Sequence, residues 1–247
     1  MTNKIYIIAN WKMNPQNKQD ATDLLENISK EIDSNYREKV EVIVLPPYVL
    51  IQDVANLFDK YSLSFNLGAQ NIFWQNSGAF TGEISPRMIK EIGCKYILIG
   101  HSERKIYLGE TINMIEKKIK IAIEEQLIPI LCLSPRKDSM ENFSEELAIY
   151  LKNVSDDYKQ KIIFVYEPTE AISTQGGKIP LLEELIGMKK NIEKMICPNA
   201  RIIYGGSVNS SNIKQFVQEA GFNGALVGAK SLDPKEFSSI INQIVQS

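Results

Sequence analysis

Apolar residues along this chain come in short, dense runs, separated by longer stretches in which they recur every three or four positions. Eight such runs stand out, at 5–9, 40–45, 64–68, 96–99, 128–131, 162–166, 201–204 and 224–227. Most are rich in Ile and Val and little interrupted by polar positions, as strands covered on both faces should be. The segments between them carry a helical period. Phe143, Leu147, Leu151 and Val154 share one face, and so do Leu182, Leu185, Ile186, Ile192 and Ile196. Ser85-Pro86 and Asp233-Pro234 each set a capping side chain before a first-turn proline, which predicts helix starts at both places. Eight strand–helix units in 247 residues, with no linker or low-complexity stretch between them, predict a single-domain (β/α)8 barrel over 1–247. The rival fold, a doubly wound open sheet, would want a glycine fingerprint after an early strand. Asn10-Trp11-Lys12 follows the first one instead.

A parallel barrel presents its chemistry at the C-terminal ends of its strands. Polar, chemically able residues gather there: Asn10 and Lys12, Gln70 and Asn71, His101, Glu167, Ser207, and the loop opening at Gly228. His101 is the one histidine in the chain, so any imidazole chemistry falls to it. Glu167 ends the apolar run 162–166 and precedes Pro168. Proline keeps its predecessor extended, so this carboxylate projects from the strand end, where a general base can work. Singly, each has an ordinary explanation: a loop histidine, a solvated glutamate, a surface lysine. Their convergence on one end of the barrel changes the reading. Tyr204-Gly205-Gly206-Ser207 and Gly228-Ala229-Lys230-Ser231 follow the last two strands, where barrels commonly hold a phosphate on backbone amides. The stretch 169–178, with Gly176 and Gly177 near its far end, reads as a lid.

Composition removes other classes of function. The net charge of −2 leaves no basic excess for nucleic acid. No apolar run approaches the roughly 20 residues of a membrane span, and the N-terminal one is too short for a signal sequence. Cys94, Cys132 and Cys197 are widely spaced and sit in apolar surroundings, which predicts reduced thiols in a cytoplasmic protein. The sequence offers no carboxylate–histidine cluster for a metal and no dinucleotide fingerprint, so neither metal nor cofactor is expected. One base, one imidazole, one ammonium and one phosphate cradle suit proton transfer beside a carbonyl. That chemistry isomerises a small phosphosugar through an enediolate.

Six ordered segments carry a resemblance to the triosephosphate isomerase family over essentially the whole chain. They are Ala9-Asn10-Trp11-Lys12-Met13-Asn14, the stretch from Gln70-Asn71 to Gly82-Glu83, Gly100-His101-Ser102-Glu103-Arg104, Tyr166-Glu167-Pro168, Tyr204-Gly205-Gly206-Ser207 and Leu226-Val227-Gly228. The resemblance implies Glu167 as the base and His101, uncharged at a helix N-terminus, as the group that polarises the carbonyl, a pairing established for the family. It implies that Lys12 balances developing negative charge, with Asn10 hydrogen-bonding nearby and Glu103 orienting the lysine. It places phosphate on backbone amides of Ser207, Gly228, Ala229 and Ser173. It also implies a homodimer, in which the 78–83 loop with Thr81 near its tip enters the partner subunit.

The chain departs from the family pattern at the lid, where Glu170 replaces the usual hinge tryptophan and Ser173 a glycine that donates its amide to phosphate. After the fifth strand, Cys132-Leu133-Ser134-Pro135 lacks the glutamate that usually meets that tryptophan. Lys230 enters the last phosphate loop, and Lys105 stands where an arginine usually follows Arg104. The catalytic groups are all retained, so the leading expectation is interconversion of dihydroxyacetone phosphate and D-glyceraldehyde 3-phosphate. The altered lid motivates a second one, isomerisation of a longer keto-phosphate such as a tetrulose phosphate. A third, an inactive phosphosugar-binding barrel, gives no reason to keep a base.

Overall fold

In a computed structural model, which describes residues 4–135, 139–168 and 179–246, the eight runs form one closed parallel barrel. Its strands are β1 (Ile5–Asn10), β2 (Val40–Leu45), β3 (Asn66–Ala69), β4 (Tyr96–Ile99), β5 (Ile128–Leu133), β6 (Ile163–Tyr166), β7 (Arg201–Tyr204) and β8 (Gly224–Val227). They pair in sequence order, and β8 closes on β1 with Tyr6 opposite Gly224.

The helices between them are α1 (Lys18–Glu31), α2 (Tyr36–Lys39), α3 (Ile51–Lys60), α4 (Pro86–Glu91) and α5 (Ser102–Leu108), then α6 (Ile112–Glu124), α7 (Met140–Tyr150), α8 (Asp156–Lys159), α9 (Leu182–Ile196) and α10 (Pro234–Val245). Both predicted proline starts are present: the Ser85 side chain accepts from Met88 N–H at α4, and the Asp233 side chain caps α10. None of the described helices is long and apolar enough to cross a membrane.

The strands read as continuous apolar runs because two cores clasp them. Ile7, Ala9, Ile97, Ile99, Phe164 and Tyr166 face the outer layer of helices. Ile8, Leu98, Ile163 and Val165 fill the barrel interior with Ile43, Ile130 and Ile203. The period of two is therefore present but apolar on both faces. It becomes visible where the strands end. Asn10 continues the inward phase of Ile8, and Glu167 that of Val165, so the same alternation that packs the interior delivers polar groups to its mouth.

Five strand boundaries differ from the sequence reading by one or two residues, among them the end of β3 at Ala69 and the start of β6 at Ile163. β3 starts at Asn66 and not at 64, because Ser64 N–H donates to the Tyr36 hydroxyl at 2.8 Å and Phe65 packs edge-on to Tyr36 and Phe58. That pairing draws the first two residues out of the ladder. β5 runs on to Leu133, whose carbonyl accepts from Glu167 N–H at 2.8 Å. β1 includes Asn10, paired with Leu45. Of the two predicted helical faces, Leu151 and Val154 lie beyond the end of α7 yet remain buried, and Leu182 and Ile186 are only partly covered.

Candidate active site

Asn10, Lys12, His101, Glu167, Ser207 and Gly228 line one cavity at the C-terminal mouth of the barrel. Glu167 is 2% exposed. Its Oε2 accepts from Ser102 N–H at 3.3 Å, and its Oε1 lies 3.4 Å from His101 Nε2. Space for the carboxylate depends on Gly205. A methyl group built there would fall 2.4 Å from Val165 Cγ1 and 3.1 Å from Glu167 Cγ, so a larger residue would displace the glutamate.

His101 reaches the mouth through a change of backbone direction. Gly100 adopts φ 72°, a left-handed conformation that glycine takes without strain, and it breaks the phase of β4. His101 then caps α5, and its Nδ1 accepts from Glu103 N–H at 3.3 Å. A nitrogen that accepts an amide proton carries none of its own. The remaining ring proton therefore sits on Nε2, which faces the cavity and Glu167.

Lys12 holds φ 54°, an uncommon conformation for a side-chain-bearing residue. Three contacts maintain it. Its N–H donates to Asn10 Oδ1 at 3.1 Å, Gln70 Nε2 donates to its carbonyl at 2.8 Å, and its ammonium meets Glu103 Oε1 at 2.5 Å. Gln70 donates also to Leu45 O at 2.8 Å, which ties this turn to the end of β2. Asn10 and Glu103 thus both act on the lysine, from its backbone and from its charge.

At the opposite wall, Ser231 donates through both its N–H and its hydroxyl to the Gly228 carbonyl, at 2.8 and 2.7 Å. Those bonds shape a short 3-10 turn, Ala229–Leu232, whose opening amides precede any intrahelical acceptor. Asn212 donates to the Ser207 carbonyl at 3.1 Å and fixes the neighbouring loop. Ser173, Glu170 and the rest of the expected lid lie outside the described residues.

The sequence reading missed two features of this region. Cys132, assigned only to the core, lies beside Glu167 inside the barrel. Burial first, and then the Glu167 carboxylate, push its thiol well above the usual range. The second feature is a buried ionic cluster behind the mouth. Lys118, 2% exposed, contacts Glu110 and donates to Asn71 Oδ1 at 2.6 Å, while Arg104 Nε reaches Glu110 Oε1 at 3.2 Å. Burial pushes the Lys118 ammonium down, and Glu110 opposes that shift. A signal for it was present: Lys118 sits in the inward stripe of Ile115, Ile119 and Ala122, where a lysine requires an acidic partner.

A second hollow adjoins Lys12 and His101 and is rimmed by Met13, Gln70, Tyr107 and Leu108. Met13, Tyr107 and Leu108 are 81%, 68% and 63% exposed, a concentration of apolar surface beside the catalytic groups. The 78–83 loop stands out separately. Phe80 packs tilted against Phe73, and Phe73 stacks on Trp74, with ring centres 4.6 and 4.1 Å apart.

A sequence model described as triosephosphate isomerase matches residues 5–244. A triosephosphate isomerase of Dictyoglomus turgidum is 38% identical over 247 residues, covering 95% of this chain and 97% of that protein. One from Dehalococcoides mccartyi strain BAV1 is 38% identical over 251 residues, covering 97% and 96%. With a barrel of matching architecture and a match over nearly its full length, the chain belongs to the triosephosphate isomerase family.

Proposed function

We propose that this chain interconverts dihydroxyacetone phosphate and D-glyceraldehyde 3-phosphate by proton transfer through an enediolate, as one catalytic domain acting with its own side chains. Glu167 takes the proton from the carbon beside the carbonyl and returns it to the neighbouring carbon. His101 Nε2–H donates to the substrate oxygens as negative charge develops on them. Lys12 stabilises that charge, held in place by Asn10 and Glu103. Phosphate rests on the amides of Ser207, Gly228 and Ala229, with Ser173 completing the cradle from the lid.

The observation that carries this reading is the pairing of Glu167 with a histidine whose Nδ1 is committed to the Glu103 amide. The arrangement offers a carboxylate base and a neutral N–H donor at one point, which is what moving a proton beside a carbonyl requires.

The active form in this proposal is a cytoplasmic homodimer. The 78–83 loop, with Thr81 near its tip, inserts into the partner's hollow between Met13, Gln70, Tyr107 and Leu108. The exposed apolar rim of that hollow supports the arrangement. Steady-state turnover of D-glyceraldehyde 3-phosphate tests the whole reading. A kcat/KM of about 10⁸ M⁻¹ s⁻¹ is expected. A rate several orders of magnitude lower, with faster turnover of a tetrulose phosphate, would overturn the substrate assignment.

A further inference from the structure

Lys230 lines the same cavity as Lys12, His101 and Glu167, from the 3-10 turn that follows β8. It is exposed, and its ammonium has no ion-pair partner among the described residues. The other ammonium at this mouth is differently placed. Lys12 is neutralised by Glu103 at 2.5 Å, and it reaches across to the β8 loop: a methyl group built on Gly228 would lie 3.8 Å from its Nζ. The loop carrying Gly228 and Ala229 therefore meets Lys12 from across the mouth and carries Lys230 in its own turn, and of the two only Lys12 is compensated.

The charge balance gives that difference a consequence. Of the charged side chains that line the cavity, Lys12 and Glu167 offset each other, against a ligand whose phosphate is itself a dianion. Lys230 adds the one positive charge left in excess there. Backbone amides supply direction to a phosphate but no net charge, so the long-range part of the attraction must come from a side chain. We propose that Lys230 is a phosphate-binding residue of this cavity, supplying the anionic end of the substrate with the positive charge that Lys12 shares with Glu103. It acts on binding and encounter, and it takes no part in moving the proton. The inference rests on the phosphosugar reading for its substrate, but not for its binding chemistry.

The test uses inorganic phosphate as a probe, with affinity measured by calorimetry at low ionic strength on the full chain. The comparison covers the unaltered protein, Lys230→Gln, Lys230→Arg, and Lys235→Gln as a surface control on α10. Loss of an exposed charge contact predicts phosphate binding about fivefold weaker in Lys230→Gln, near-normal binding in Lys230→Arg, and no change in Lys235→Gln. Turnover of D-glyceraldehyde 3-phosphate should show a matching rise in KM with kcat within about twofold, and kcat/KM should fall less steeply with added salt. Phosphate affinity equal in Lys230→Gln and Lys235→Gln overturns the proposal, and so does an unaltered protein that binds no phosphate. Lys230-dependent phosphate binding without isomerase turnover would uphold it while removing the proposed reaction. Turnover with no dependence on Lys230 would do the reverse.

Discussion

At the N-terminal end of the barrel, Glu41 accepts from the Tyr96 hydroxyl and from Asn66 Nδ2, the latter at 3.3 Å, while the Arg201 guanidinium lies 5.8 Å from the centre of the Tyr6 ring. At the C-terminal mouth, Glu167 and His101 are held by the amides of Ser102 and Glu103. Both ends place ionisable groups against an apolar interior. They differ in what satisfies those groups. Below, side chains from β1, β2, β3, β4 and β7 converge and use one another up, so the end is plugged. Above, backbone donors grip the functional groups from behind and leave Glu167 and His101 facing a cavity. A polar group fixed by the main chain keeps its position when a ligand arrives, which is what preorganised catalysis needs.

The sharpest way to break this contrast is to move the base. Glu167→Asp should cut kcat by about 10²- to 10⁴-fold, because the shorter side chain withdraws the carboxylate from the carbon acid. Stability should change little, since the aspartate remains at a strand end built to hold a carboxylate. Steady-state kinetics and thermal melts together check this. An unchanged kcat removes Glu167 from its assigned role.

The opposite result is expected at the plugged end. Glu41→Ala leaves the Tyr96 hydroxyl without its acceptor in a buried setting, where burial and then Glu41 already push that hydroxyl up. The expected cost is about 1–3 kcal/mol of unfolding free energy, with kcat/KM within twofold of the unaltered protein. Denaturant titration beside kinetics makes the comparison. A large kinetic defect would show that the two ends are coupled through the barrel and not separate in function.

How far the sequence foretold this division depends on whether a feature is local. The barrel was legible because β1, β4 and β6 are apolar on both faces, and Glu167 because Pro168 and the phase of Val165 fix where it points. His101 was legible as the lone imidazole after Gly100. The left-handed backbone of Lys12 was not, because it is held by Gln70, 58 positions away in the chain. Nor was the pairing of Lys118 with Glu110 and Asn71, which requires α6 to dock against the loop after β3. The displaced start of β3 depends likewise on Tyr36. Contacts set by strand register and helix docking are invisible to periodicity, even where the residues they join are conspicuous.

Cys132 belongs to both regions, since it packs in the barrel interior opposite Val165 and also touches Glu167. Its thiol is held well above the usual range, chiefly by burial and then by the Glu167 carboxylate. The folded protein therefore keeps this proton at a pH where the unfolded chain, with an ordinary thiol value of about 8.5, releases it. Above that pH the folded state binds more protons than the unfolded one, so the stability linked to this group is intact below it and declines as pH rises. Cys132→Ala removes the titration and leaves only a pH-independent packing loss. The unaltered protein should thus lose about 1 kcal/mol more than the variant between pH 7.5 and 9.5. Denaturant melts across that range read the two slopes. Parallel slopes would mean that the thiol ionises alike in both states, and that the interior beneath Glu167 is wetter than the packing of Cys132 and Val165 indicates.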